Sequence, residues 1–181
     1  MTEISDRYAR HADAFAATIA AVPADRWSAQ SPCEGWTAAD VVSHVVDVHG
    51  MFLGLVGRRP ESVPEDRAEA FAHVRRIVQA DLENPERAGT TYDGMFGTQT
   101  FEWSVDNFVT FDLVLHRWDL GRATGLEVVI PEDEVTRIAG QVQGIPQEVR
   151  DAGTVFGSAL TPPSDADAHT RLLAETGRKA W

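Results

Sequence analysis

The strongest local preference in this chain is a long helix from about Glu102 to Ala123. Val105, Phe108, Val109, Phe111, Leu113 and Leu115 lie along it, and Gly125 supplies a stop just beyond. Three more segments carry helix-period apolar patterns between breaks that hold proline or glycine. From Glu3 to Ala21, Tyr8, Phe15, Ile19 and then Val22 recur at helical spacings, and Pro23 ends the run. Thr37 with Asp40 at the third helical position reads as a capping box, which predicts a helix over Ala38–Leu55 closed by Gly57 and Pro60. A third helix starts after Pro64 and reaches about Leu82, with Phe71, Val74, Ile77 and Val78 on its apolar face. Helices of this length must bury those faces on one another, so the pattern predicts an all-α four-helix bundle. Strand and helix do not alternate regularly, which disfavours a parallel sheet.

The rest of the chain is arranged around that bundle. Gly89 to Phe101 has strand character, with Asp93-Gly94 as a turn signal, and predicts a small hairpin before the fourth helix. A further helix follows Pro131 and reaches about Ile145. The stretch Phe156 to Pro163 is irregular, and a last short helix, Ala166 to Glu175, precedes the ending GRKAW. Residues 1–125 therefore form the bundle and 126–181 a short C-terminal helical extension packed on it. At 181 residues this is one domain overall.

Charge narrows the partners. Asp and Glu total 28 against 16 Lys and Arg, a formal charge of −12. Nucleic acid and anionic membranes call for clustered positive charge, so neither is an expected partner. Cys33 is the only cysteine, so no intrachain disulfide forms. No apolar run approaches the roughly 20 residues of a membrane span. The N-terminus MTEISDRYARHADAF lacks the apolar core of a signal peptide, and the expected location is cytoplasmic.

Chemistry concentrates on two helices. Asp112 and His116 stand one turn apart, about 40° around the axis, so both leave the same face. A carboxylate and an imidazole at that spacing can share a metal ion, although the pair alone is more often a solvated helix face. Its apolar flanks favour the metal, because buried charges need a partner. His44, flanked by valines on the second helix, can supply a third ligand; a lone histidine there is otherwise a hydrogen-bonded core residue. His49 lies about 140° away around the same helix and cannot face the same ion. His11, His73 and His169 sit on polar stretches and are expected at the surface.

The segment WSAQSPCEGWTAADVVSHVVDV resembles the first signature of the DinB and mycothiol-dependent maleylpyruvate isomerase superfamily. FDLVLHRWDLGRATG is similar to its second signature. The ending VFGSALTPPSDADAHTRLLAETGRKAW is similar to the tail of one subgroup, so the resemblance covers nearly the whole chain. It implies a DinB-like bundle with a divalent metal, zinc most often and nickel sometimes, held by His44, Asp112 and His116. The isomerase has Glu at the position of Asp112, whereas the subgroup tends to show Asp. The resemblance also implies a homodimer and a low-molecular-weight thiol, typically mycothiol.

Three protein ligands leave an ion an open position, the mark of a catalytic site. Water or a thiolate can fill it, and a thiolate on the ion is ready to attack, which matches the metal- and thiol-dependent transferase or isomerase acting on a small electrophile that the resemblance implies. The alternative is a non-catalytic metal-binding dimer, serving as scaffold, sensor or small-molecule binder. Asp119, three residues after His116, can orient an imidazole N–H or pair with Arg117 or Arg122, the commoner arrangement; Asp47 stands in the same relation to His44. Trp36 is a pocket-wall candidate for cofactor binding, and Trp103 and Trp118 read as core. Cys33 precedes a helix N-terminus but is taken as structural. Arg75, Arg76 and Arg122 are candidate contacts for the thiol.

Overall fold

The computed structural model describes residues 2–94, 97–147, 150 and 156–181. Helix α1 spans Glu3–Ala21 and starts on Thr2, whose hydroxyl accepts the Ser5 N–H. Helix α2 spans Ala38–Leu55 and starts on the complete Thr37/Asp40 capping box. Helix α3, Arg67–Leu82, is capped by Asp66, which accepts from the N–H groups of Ala68 and Glu69. A short helix α4, Pro85–Ala88, leads into an antiparallel pair, β1 (Thr91–Gly94) and β2 (Gly97–Thr100). The fourth long helical run has three parts: α5 (Phe101–Ser104), a π-helical stretch (Val105–Val109) and α6 (Thr110–Thr124). Helices α7 (Glu132–Gly144) and α8 (Ala168–Glu175) follow. Gly125 ends α6 at φ 79°, a left-handed position that favours glycine.

The bundle is all-α apart from the small hairpin, and α1, α2, α3 and α6 pack side by side. Tyr8, Phe15, Val41, Val45, Leu53, Phe71, Val74, Val105 and Leu113 fill its core. Each such fully buried large side chain stabilises the fold by about 1.5–3 kcal/mol before entropy is counted. Helix α6 also serves a second core. Its Phe111, Val114, Leu115 and Trp118 pack against Val135, Ile138 and Val142 of α7 and Leu172 and Leu173 of α8. Being covered on two sides explains why its sequence is apolar nearly all round rather than striped. Helix α2 is the one described helix that meets the length and composition of a membrane span. Here Val41, Val42, Val45 and Leu53 bury that apolarity inside the bundle.

The structure corrects several local expectations. Asp93 and Gly94 are ladder residues, paired with Thr98 and Gly97, not the turn; residues 95 and 96 between the strands lie outside the described residues. The fourth helix is continuous, as its pattern predicts, but contains the unforeseen π-helical stretch, in which the Thr110 N–H reaches back to the Val105 carbonyl. The wider turn leaves the Asp106 carbonyl to accept from Arg137 and, at 3.5 Å, from Gln141, both on α7. His11 is buried, not a surface residue, with Nε2 3.0 Å from Glu134. His73 and His169 are half-buried.

Candidate metal centre

The Thr37/Asp40 box fixes where α2 begins, so its buried valines turn His44 toward α6. On α6, Asp112 and His116 stand one turn apart and face back. His44 Nε2 lies 3.1 Å from Asp112 Oδ2, and His116 Nε2 lies 3.9 Å from Asp112 Oδ1. One donor atom from each of the three residues falls within 4.8 Å of the others. The imidazole of His44 is 33% exposed and the Asp112 side chain 22%, whereas His116 is buried, so the cluster opens on the α2 side. Burial pushes the Asp112 carboxyl upward, but the His44 hydrogen bond and the two imidazoles outweigh it and hold the pKa below its ordinary value.

The loop before α2 covers the rings. Gln30 and Thr37 form a bridge, and the Gln30 side-chain amide donates to the Trp36 carbonyl at 2.8 Å. That closed loop sets the Trp36 indole 4.7 Å from the His44 ring centre and 5.8 Å from that of His116. Trp36 therefore stands against both imidazoles. Trp118 is core, but Trp103 is 40% exposed, contrary to its reading as core.

Behind His116 the contacts are charged and buried. Its Nδ1 lies 2.9 Å from Asp119 Oδ2. A carboxylate only accepts, so Nδ1 carries a proton, and Nε2 is the nitrogen turned toward Asp112. Asp119 pairs with Arg178 through Nε at 2.9 Å and Nη2 at 2.7 Å. Burial raises the Asp119 pKa, yet the Arg178 charge and the His116 hydrogen bond bring it down to about 2. Both roles considered for Asp119 are thus filled, with Arg178 in the place expected of Arg117 or Arg122. Arg117 donates to Thr18 instead, and Arg122 lies over the Trp118 ring.

Cys33 is nearer the cluster than sequence spacing indicates. Its Sγ is 3.4 Å from Asp119 Oδ2, and burial together with the Asp119 charge pushes the thiol up to about 12. Cys33, His116 and Asp119 also lie close enough together to suggest a second ion. Cys33 Sγ donates to Asp119 Oδ2, and Arg178 already holds both oxygens of that carboxylate, so the group is tied together as a hydrogen-bond network.

The other candidates lie elsewhere. Asp47 is exposed. His49 is fully buried; its Nδ1 donates to the Val45 carbonyl at 2.7 Å, and its Nε2 accepts from the Tyr8 hydroxyl at 3.0 Å. Burial lowers its pKa to about 4. Arg75 pairs with Asp13, and Arg76 lies by His73. The residue that sequence reasoning missed is Arg178. Its signal was the glycine-arginine pair after the last helix, noted only as part of the tail.

The profile of the mycothiol maleylpyruvate isomerase N-terminal domain matches residues 8–95, a span that holds Trp36 and His44 and stops short of Asp112. Uncharacterized proteins from two strains of Mycobacterium tuberculosis are each 28% identical over 176 residues, covering 93% of this chain and 94% of theirs. No solved structure matches. Over residues 8–95, just under half of its length, the chain is similar to the mycothiol maleylpyruvate isomerase N-terminal domain family.

Proposed function

We propose that His44, Asp112 and His116 hold a divalent ion, zinc first and nickel second, and that the protein is a thiol-dependent transferase or isomerase acting on a small electrophile. The observation that carries this reading is the pairing of two facts. Three donor atoms lie within 4.8 Å of one another, and the far nitrogen of His116 is already committed to Asp119. Ligating histidines characteristically donate their second N–H to a carboxylate, which fixes the tautomer and aims the lone pair. Two imidazoles and one carboxylate are a donor set suited to zinc or nickel.

The chain's own residues prepare the site. His44 and Asp112, the more exposed members, form its open side, where a thiol can enter. Trp36 stacks on the His116 ring and lies tilted against that of His44, so it walls one side of the cluster. Asp119 holds the His116 proton on Nδ1, away from the cluster. When bound, the ion supplies Lewis acidity that makes a thiolate available near neutral pH. Mycothiol is the thiol that the family match supports. Addition forms a carbon–sulfur bond across an activated double bond and leaves the thiol proton on the neighbouring carbon. The reverse step releases the thiol and an isomerised alkene.

Elemental analysis of protein purified without a chelating column tests the site. About one zinc or nickel per chain is expected, and His44→Ala and His116→Ala should each lose it. No bound metal after incubation with either ion would overturn the reading. Chelator-sensitive, mycothiol-dependent isomerisation of maleylpyruvate, or chelator-sensitive consumption of mycothiol by a model electrophile, then tests the activity. Stoichiometric metal without thiol turnover would point to a non-catalytic binding protein.

A further inference from the structure

We propose that Arg178, from the C-terminal tail, is a positioning residue that clamps Asp119 and through it fixes the orientation and tautomer of His116. This rests on the reading of His44, Asp112 and His116 as an ion site. It assigns a role in that site to a residue 59 positions along the chain from the carboxylate it holds.

The argument starts from the end of α8. The Gly177 N–H returns to the Ala174 carbonyl, and the Arg178 N–H returns to Leu173 at 2.7 Å, so the chain hooks back after the helix. Gly177 makes the hook at φ 79°, and a Cβ there would stand 2.7 Å from the Gly157 backbone. Only glycine allows both the conformation and the approach. The hook turns Arg178 inward, where it is 6% exposed.

Each of its three guanidinium nitrogens then has a partner. Nε and Nη2 grip the two oxygens of Asp119, and Nη1 donates to the Thr176 carbonyl at 2.9 Å. A side-on pair of this kind fixes a carboxylate in direction as well as in charge. Asp119 is fully buried and, clamped there, presents Oδ2 to His116 Nδ1. A buried ion pair commonly adds little net stability over apolar packing. Geometry is therefore the better account of why an arginine occupies this place.

The experiment uses the full chain, with Arg178→Gln and Arg178→Lys beside the wild type. Zinc affinity is read by chelator competition, the cobalt(II)-substituted site by its visible spectrum, and the His116 tautomer in metal-free protein by its ring ¹⁵N shifts. Arg178→Gln is expected to weaken zinc by about 10–100-fold, the usual effect of losing a partner behind a ligand. It should also alter the cobalt spectrum and turn a single Nδ1–H tautomer into a mixture. Arg178→Lys keeps the charge, lacks the fork and should fall between the two. Wild-type affinity and tautomer in Arg178→Gln would overturn the proposal. Should that variant not fold, a lysine variant identical to wild type in both readouts would overturn it as well. A wild-type chain that binds no zinc would defeat the metal reading alone, because the metal-free tautomer still decides the role of Arg178.

Discussion

The Trp36 indole lies 4.7 Å from the ring centre of His44 and 5.8 Å from that of His116, so one aromatic plane touches both imidazoles of the cluster. An ion that joins those rings would change the environment of that indole directly. Titrating the metal-free protein with zinc should change tryptophan fluorescence, and Trp36→Phe should remove most of the change while keeping the metal. The other four tryptophans then supply a constant background.

Asp112 tests the donor set. Asp112→Asn keeps the size and removes the charge that draws both imidazoles. It should weaken zinc by more than about 100-fold, beyond the range seen for partners behind the ligands. Asp112→Glu keeps the charge on a longer arm and should retain zinc more tightly than the Asn variant. Competition with a chromophoric chelator measures both.

His49 predicts a pH dependence of stability. Its folded pKa of about 4 lies below the ordinary 6.5, so the unfolded chain binds the proton first as pH falls. The contribution is complete above about pH 6.5 and is lost progressively toward pH 4, amounting to about 3 kcal/mol over that window. Urea unfolding of wild type and His49→Gln at pH 7 and pH 4.5 should show a smaller loss in the variant. Equal losses would mean that another group titrates.

Cys33 should be slow to react. A thiol moved from 9.0 to about 12 has about 10³-fold less thiolate near neutral pH. Iodoacetamide should therefore label the folded chain far more slowly than the urea-unfolded chain at the same pH. Equal rates would contradict its contact with Asp119.

Gly121 tests the junction after α6. A Cβ there would stand 2.5 Å from Val128 Cγ2 and 3.0 Å from the Leu126 carbonyl. Gly121→Ala should cost about 1–3 kcal/mol despite alanine's higher helix propensity, as overpacking does. Chemical denaturation measures the difference.

The parts legible in sequence were those set by neighbouring residues. Pro23 and the Thr37/Asp40 box delimit α1 and α2, and both helices begin and end where those signals place them. The pairing of Asp112 with His116 follows from helical spacing, and His44 stood out as a third ligand by its valine flanks and by the family resemblance. What escaped was decided across the fold. Arg178 reaches Asp119 through a hook after the last helix. His11 is buried because Glu134 of α7 comes to meet it, although its own neighbours in sequence are polar. The π-helical stretch carries no proline or glycine to announce it, and its freed carbonyl is satisfied from α7.

That stretch settles a conflict of phase. Phe101 is locked in the core beneath the Arg58 guanidinium, while α6 must offer Asp112 and His116 to α2. Each residue added to a helix advances its faces by about 100°. One surplus residue taken up between Val105 and Val109 lets both ends of the run keep their bearings. Removing it would make a more regular helix and force a choice between the anchor and the cluster.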